Sequence, residues 1–167
     1  KQTVADGCIS WPFDRIQSII PEDVSLVFVE LSLNETIKGR IHIRLNTELP
    51  NIRENVVNIF TGQMGPSLVG VVLSYHKSYG LYSNSSLPFN EMKVACDSNG
   101  RSTSKTGEII GYFGSGYLTH LYFHMPAPPK PDNYGNGWIV FAQIEEGMDV
   151  MEELAKQGSG ATISDCG

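Results

Sequence analysis

The sequence predicts a mainly β domain, a closed eight-stranded antiparallel β-barrel capped by two α-helices. Three observations support this prediction. Apolar and polar residues alternate in a series of short segments, as they do in strands with one buried face. Two other segments show the helical period instead. The total, about eight short strands and two helices within 167 residues, suits one barrel around one core.

The first two strands are the clearest elements. Val27, Val29 and Leu31 alternate with Phe28, Glu30 and Ser32, and the same period of two recurs in residues 41–45, with several β-branched residues in both segments. This pattern predicts the two strands of a β-hairpin. The polar break from Asn34 to Gly39 predicts a connecting loop of about four to six residues.

An amphipathic helix follows the hairpin. One apolar stripe begins at Ile52 and ends at Phe60, with spacings of i, i+4, i+7 and i+8. Pro50 suits the first turn of such a helix, and Gly62 suits its end.

The second half of the chain alternates between strand candidates and loops. Residues 97–108 are rich in Gly and Ser and residues 126–137 are rich in Pro, so both are predicted loops. Residues 74–86 carry three tyrosines and little periodicity. Further strands are predicted at 68–73, 117–125, 139–144 and 161–166, and a second helix is predicted at 148–156.

Residues 1–23 are predicted to form an N-terminal arm, and residues 24–167 the barrel domain. The arm carries Trp11, Phe13 and several isoleucines, which is too apolar a composition for a disordered tail. We expect the arm to pack on the barrel surface, and the alternative is an arm that binds a partner. The chain starts at Lys1 instead of Met, which fits a processed mature product.

Two blocks of the chain carry the motifs of a known family. The first helix reads P-x-x-x-E-N-x-x-x-x-x-x-G, with Pro50, Glu54, Asn55 and Gly62 at the marked positions. Residues 138–167 continue as strand, helix and last strand, WIVFAQIEEG, MDVMEELAKQGSG and ATISDCG. In order and spacing, these blocks resemble the cyclophilins, the cyclophilin-type peptidyl-prolyl cis-trans isomerases. The resemblance implies a divergent member with the cyclophilin-like barrel of that family.

The resemblance is weakest in the middle of the chain, where cyclophilins carry their active groove. The family's F-H-R, followed by G-F-M-x-Q, aligns with residues 75–84. On this alignment Lys77 stands for the catalytic arginine, Leu81 for a phenylalanine and Asn84 for a glutamine. An arginine stabilises the twisted X-Pro amide with a planar fork of donors, whereas Lys77 offers a point charge on a flexible stem. Each exchange weakens the implied site.

Other groove positions implied by the resemblance are also replaced. The asparagine-rich loop of the family is absent, and only Tyr122-Phe123 resembles the paired aromatics that follow it. Phe123 is then either the floor of a proline pocket or a core residue. Pro131 and Asp132 fall near the family's tryptophan position, and Trp138 falls near its histidine. We therefore do not expect an efficient enzyme.

Two hypotheses for function remain. In the first, the chain is a secreted cyclophilin-like protein with a degenerate prolyl isomerase site, acting as a protein-binding or structural module. In the second, it is a weak peptidyl-prolyl cis-trans isomerase that helps other proteins to fold. Both imply a protein or a proline-containing peptide as partner, and neither requires a cofactor. An oligomer or a larger extracellular assembly is compatible with the first hypothesis, which the substitutions favour.

Charge and hydropathy argue against two other kinds of partner. The net charge is −6 and Lys and Arg form no run, so we do not expect nucleic acid as a partner. No apolar run approaches the roughly 20 residues that span a bilayer, so we expect no membrane span.

Cysteines and sequons indicate the compartment. Cys8, Cys96 and Cys166 permit three different single disulfides or, alternatively, three buried free thiols. The sequons at Asn34 and Asn84 favour an extracellular or secretory-pathway protein. Because the cyclophilin barrel places its first strand beside its last, the resemblance favours a Cys8–Cys166 disulfide that pins the arm.

No metal site is predicted. His120 and His124 lie four residues apart, which on a strand corresponds to about 13 Å along one face. A metal would need a third ligand, which the sequence does not identify. Two half-exposed histidines are the expected outcome.

Overall fold

Eight antiparallel strands close into a barrel around one apolar core, and two helices accompany them, within the residues that the structure describes. The structure is a computed structural model and describes residues 25–63, 65–87, 97, 100–114, 116–125 and 135–167. The predicted arm, residues 1–23, and most of the proline-rich loop, residues 126–137, lie outside these ranges.

The barrel has a fixed order of strands. The strands are β1 (Leu26–Leu33), β2 (Thr36–Leu45), β3 (Val72–His76), β4 (Gly80–Ser83), β5 (Glu108–Tyr112), β6 (His120–His124), β7 (Trp138–Glu146) and β8 (Ala161–Cys166), and the helices are α1 (Pro50–Thr61) and α2 (Met148–Gln157). Around the barrel they run β1-β2-β7-β5-β6-β4-β3-β8, with every neighbouring pair antiparallel. The predicted fold class is confirmed, and this barrel is compatible with a cyclophilin-like fold.

The interior of the barrel is filled by the alternating apolar residues that predict the strands. Val29 pairs with Ile41 across β1 and β2, and both side chains are fully buried. Phe28, between two inward-facing residues, lies outside, where the Arg40 guanidinium stands 4.5 Å from its ring centroid. The period of two therefore separates core from surface as expected.

The hairpin between β1 and β2 is tighter than predicted. Its turn contains only Asn34 and Glu35, and their φ angles are 51° and 62°. Two residues at positive φ form a type I′ turn, whose twist matches that of the strands. The predicted loop of about four to six residues is therefore wrong. The polar residues from Thr36 to Gly39 are strand residues, and they pair with β1 across a bulge at Leu31/Ser32.

The third strand is displaced from its prediction. Residues 68–73 do not form one buried strand, because Leu68 is buried while Val69 and Val72 are 52% and 61% exposed. Gly70 has a φ of 86°, and the extended strand starts only at Val72. β3 then pairs with β4, a four-residue strand within the segment of low periodicity.

Both helices form near their predicted positions. α1 buries Ile52, Val56, Ile59 and Phe60 and ends at Gly62, whose φ is 66° and whose N–H donates to the Asn58 carbonyl. Its first turn is capped from elsewhere in the chain. The Asp97 carboxylate accepts hydrogen bonds from Asn51 Nδ2 at 2.9 Å and from the Ile52 N–H at 3.1 Å. α2 buries Met151 and Leu154.

The first and last strands of the barrel are neighbours, as the resemblance implies. Val29 on β1 lies opposite Cys166 on β8. Cys166 is free in the part of the chain that the structure describes, and burial raises the pKa of its thiol. Cys8 and Cys96 lie outside the described residues, so the Cys8–Cys166 disulfide stays a prediction.

Candidate functional site

An aromatic surface covers the outer wall of the barrel where β4, β6, β5 and β7 lie side by side. We define it by seven partly or fully exposed side chains, namely His76, Tyr79, Tyr82, Tyr112, His120, Tyr122 and Trp138. Strand register brings most of them together, because residues directly opposite each other point to the same face. Tyr82 on β4 lies opposite Tyr122 on β6, and Tyr112 on β5 lies opposite both His120 and Trp138.

The rings of this surface contact one another in a continuous series. The Tyr122 ring centroid lies 4.9 Å from that of Trp138, 5.5 Å from that of Tyr82 and 5.8 Å from that of Tyr79. The pair Tyr82–Tyr122 meets edge to face, the geometry that the quadrupoles of aromatic rings favour. Tyr122 is therefore the centre of the surface.

The edges of the surface carry ring pairs of their own. Trp138 lies 5.3 Å from Tyr112 and 6.4 Å from His120, between ring centroids. At the other edge, His76 stacks on Tyr79 at 4.7 Å. These contacts link the β3–β4 turn to the start of β7.

A buried isoleucine lies beside the central ring on the same face of the sheet. Ile110 lies opposite Tyr122 and is fully buried, although it is not part of the core cluster inside the barrel. Burial also raises the pKa of the Tyr122 phenol, with further increases from Tyr79 and Tyr82. The phenol is thus protonated at neutral pH, as an ordinary tyrosine also is, and it resists ionisation to a higher pH.

Two of the residues aligned with the cyclophilin groove point away from this surface. Leu81 and Phe123 lie opposite each other on β4 and β6, and both are fully buried in the core cluster. They cannot touch a ligand on the outer wall. Of the two roles considered for Phe123, the structure supports that of a core residue.

The other three aligned residues lie on or beside the outer wall. Trp138 belongs to the aromatic surface itself. Lys77 is exposed in the turn after β3, next to His76, and Asn84 is exposed directly after β4. The arginines in the described ranges, by contrast, lie on β2, on α1 and before β5, so no described residue places a guanidinium on β3, β4 or β6.

The two histidines of β6 differ in environment. His120 is partly exposed and its Nδ1 lies 3.1 Å from the Thr119 hydroxyl. His124 is 6% exposed, contrary to the expectation of two half-exposed histidines, and its Nδ1 lies 3.0 Å from the buried Ser104 hydroxyl. Across the described ranges, no group of three or more His, Cys, Asp or Glu residues is arranged to hold a metal ion.

Two grooves lie elsewhere on the barrel. One of about 360 Å³ is lined by Arg44, Arg101 and Glu108 among others. Arg44 pairs with Glu145 at 3.2 Å and Arg101 pairs with Glu108, so neither guanidinium is a free cation for catalysis. The second groove, of about 450 Å³, lies beside the turn between β1 and β2.

The sequence predicts only Trp138 of the aromatic surface as a site residue. The alternation within β6 indicates one member of this surface. Leu121 and Phe123 face inward, so Tyr122 between them must face outward. Tyr82 gives no such signal, because β4 is only four residues long, and Tyr79 lies in the turn between β3 and β4. Their grouping depends on the pairing of strands that are distant in sequence.

No protein-family profile and no curated protein sequence matches this chain. Likeness to the cyclophilins thus depends on the two sequence blocks and on a compatible barrel. Among the described residues, no helix has the length and apolar character required to cross a membrane.

Proposed function

We propose that this chain is a secreted cyclophilin-like protein with a degenerate prolyl isomerase site, and that it acts as a protein-binding or structural module. The aromatic surface is the proposed contact, and a proline-containing peptide is the proposed partner. The observation that carries the proposal is the ring series through Tyr82, Tyr122 and Trp138 on the side of the barrel formed by β4, β6, β5 and β7, strands that hold no arginine.

Aromatic surfaces suit proline for physical reasons. A pyrrolidine ring is rigid, so a proline-rich segment loses little entropy when it binds, and its flat apolar face packs on aromatic rings. Tyr122 and its neighbours supply such rings, and their hydroxyl groups lie at the ring edges. Proline has no N–H, so the carbonyl groups of a proline-rich peptide need other donors, which the tyrosine hydroxyls can provide.

Efficient isomerisation requires more than such packing. The barrier to rotation about the X-Pro bond is about 18–20 kcal/mol, and it falls when a positioned cation stabilises the twisted amide. Lys77 is exposed in a turn, where its ammonium is hydrated and its stem is flexible. Binding without efficient catalysis is the consequence.

One NMR sample tests binding and catalysis together. A peptide with a central Ala-Pro bond is titrated into the protein, the indole N–H resonance of Trp138 reports binding, and exchange spectroscopy reports the cis-trans rate. We expect a saturable shift of the indole resonance without acceleration of the exchange, and no binding of cyclosporin. Acceleration within about tenfold of an ordinary cyclophilin, a difference of only about 1.4 kcal/mol in barrier, would sink the degenerate-site proposal.

Two serine substitutions give a matched comparison. Tyr82→Ser removes a ring from the aromatic surface, and we expect it to weaken peptide binding by about three- to tenfold. Phe28→Ser removes an outward-facing ring from β1, on the opposite side of the barrel from β6, and we expect unchanged binding. Equal loss in both variants would place the peptide elsewhere.

The weak isomerase remains a second candidate because Lys77 adjoins the ring pair His76–Tyr79. If this lysine contributes, the exchange rate rises measurably at high protein concentration and falls in Lys77→Ala. The matched control is Lys105→Ala, which removes another exposed lysine from a different loop.

A further inference from the structure

The groove beside the turn between β1 and β2 differs chemically from the rest of the surface. It has a volume of about 450 Å³, within the range of small-molecule sites. β3, β8 and the loop after α2 form its walls. Its lining includes Ser32, Asn34, Val72, Ser74, Ser159 and Thr162.

The lining is neutral and rich in hydroxyl groups. No Asp, Glu, Lys, Arg or His residue contributes to it, in contrast to the other groove with its arginines and Glu108. Serine and threonine hydroxyls both donate and accept hydrogen bonds. The Ser32 and Ser159 hydroxyls already donate to the Thr162 and Gln157 carbonyls, so these two offer their oxygens as acceptors. Val72 adds an apolar side chain that is 61% exposed, although it belongs to a strand. An uncharged, polyhydroxylated ring with one apolar face complements this combination.

Asn34, at the edge of this groove, belongs to a sequon and can carry such a ring as a covalently attached sugar. Its exposed side chain stands at the rim, at the first position of the tight turn, and Thr36 completes the sequon at the start of β2. We propose that the groove binds the proximal N-acetylglucosamine of a glycan attached to Asn34. This inference rests on the secretory location within the proposed function, because the glycan is added only there.

The second sequon supplies an internal control. Asn84 is exposed after β4 and does not line the groove. A glycan at Asn84 therefore reports the general effect of glycosylation, and a glycan at Asn34 reports that effect together with groove binding.

The test compares identical polypeptides with and without the sugar. Ser86→Ala leaves only the Asn34 sequon, and Thr36→Ala leaves only the Asn84 sequon. Each chain is secreted from eukaryotic cells and trimmed to one N-acetylglucosamine, and is also made without glycan in the bacterial periplasm. We expect the sugar on Asn34 to raise Tm by about 2–4 °C, and the sugar on Asn84 to change Tm by less than about 1 °C.

A groove variant separates binding from other effects of the sugar. Val72→Arg places a charge at an exposed position, so folding should be kept, and we expect it to abolish the Tm gain at Asn34. The inference is overturned if Asn34 stays bare, if its sugar leaves Tm unchanged, if Asn84 gives an equal gain, or if the gain survives Val72→Arg.

These outcomes are distinct from failure of the proposed function. Peptide binding at Tyr82 and Trp138 is read in a separate titration, so its loss leaves the result at Asn34 standing. Glycan on Asn84 with a bare Asn34 keeps the secretory location and rejects the groove.

Discussion

At the scale of single residues, the face of the strand on which a side chain lies decides its role. Leu81 and Tyr82 are adjacent on β4, yet the first is fully buried and the second belongs to the aromatic surface. Alignment with a family motif assigns a position along the chain but not the face on which it lies. A shift of one residue moves a side chain from the groove to the core, because the period of a strand is two.

Ser104 is a buried residue that we expect to contribute to stability and not to binding. Its buried hydroxyl lies 3.0 Å from Nδ1 of the buried His124. Ser104→Ala removes this hydrogen bond from the ring of a histidine that is only 6% exposed. We expect the free energy of unfolding to fall by about 1–3 kcal/mol, measured by urea denaturation. Ser85→Ala, at an exposed position, is the control and should stay within about 0.5 kcal/mol of the parent; equal effects would show that the buried contact is unimportant.

At the scale of elements, the sequence predicts the helices and strands whose hydrophobic period is visible within their own segment. The stripe from Ile52 to Phe60 predicts α1, and the alternation in residues 26–32 predicts β1, since burial imposes both patterns directly. β4 is too short to show a period, and the tight turn at Asn34 depends on positive φ angles that polar composition does not specify. The sequence does not predict the aromatic surface for a different reason, since its side chains come together only when strands distant in sequence pair.

The cap of α1 is another feature that the local sequence does not reveal. Leu49 at the N-cap makes no side-chain hydrogen bond, and the acceptor for the Ile52 N–H is Asp97, 45 residues further along the chain than Ile52. We expect Asp97→Ala to lower the free energy of unfolding by about 0.5–2 kcal/mol, because an uncapped N–H and a lost charge at the helix N-terminus both destabilise α1. Urea denaturation measures the change.

Glu54→Ala is the control for this cap, since it removes a carboxylate from an exposed position further along the same helix. We expect a change within about 0.5 kcal/mol. If both variants lose the same stability, the general charge of the helix matters and the contact from Asp97 does not.

At the scale of the whole molecule, closure of the barrel gives its outer wall two chemically different sides. Around β8, β1 and β2 the surface is ionic, with Arg40 held 3.2 Å from Glu30 and 3.3 Å from Asp165. Around β4, β6 and β5 it is aromatic. Exposed ion pairs contribute little to stability or affinity, whereas clustered aromatic residues contribute most in protein interfaces. The aromatic side is therefore where we place the partner.

A disulfide between Cys8 and Cys166 would close nearly the whole chain. Cys166 ends β8 beside β1, the strand into which residues 1–24 lead. In the chain-entropy model such a loop restricts the unfolded state by roughly 4–5 kcal/mol. We expect non-reducing peptide mapping of secreted protein to recover Cys8 linked to Cys166. A Cys8–Cys96 peptide would refute this pairing while keeping a pinned arm. Three free thiols would remove the pin and weaken the case for secretion, and the raised pKa of Cys166 would then make that thiol slow to alkylate.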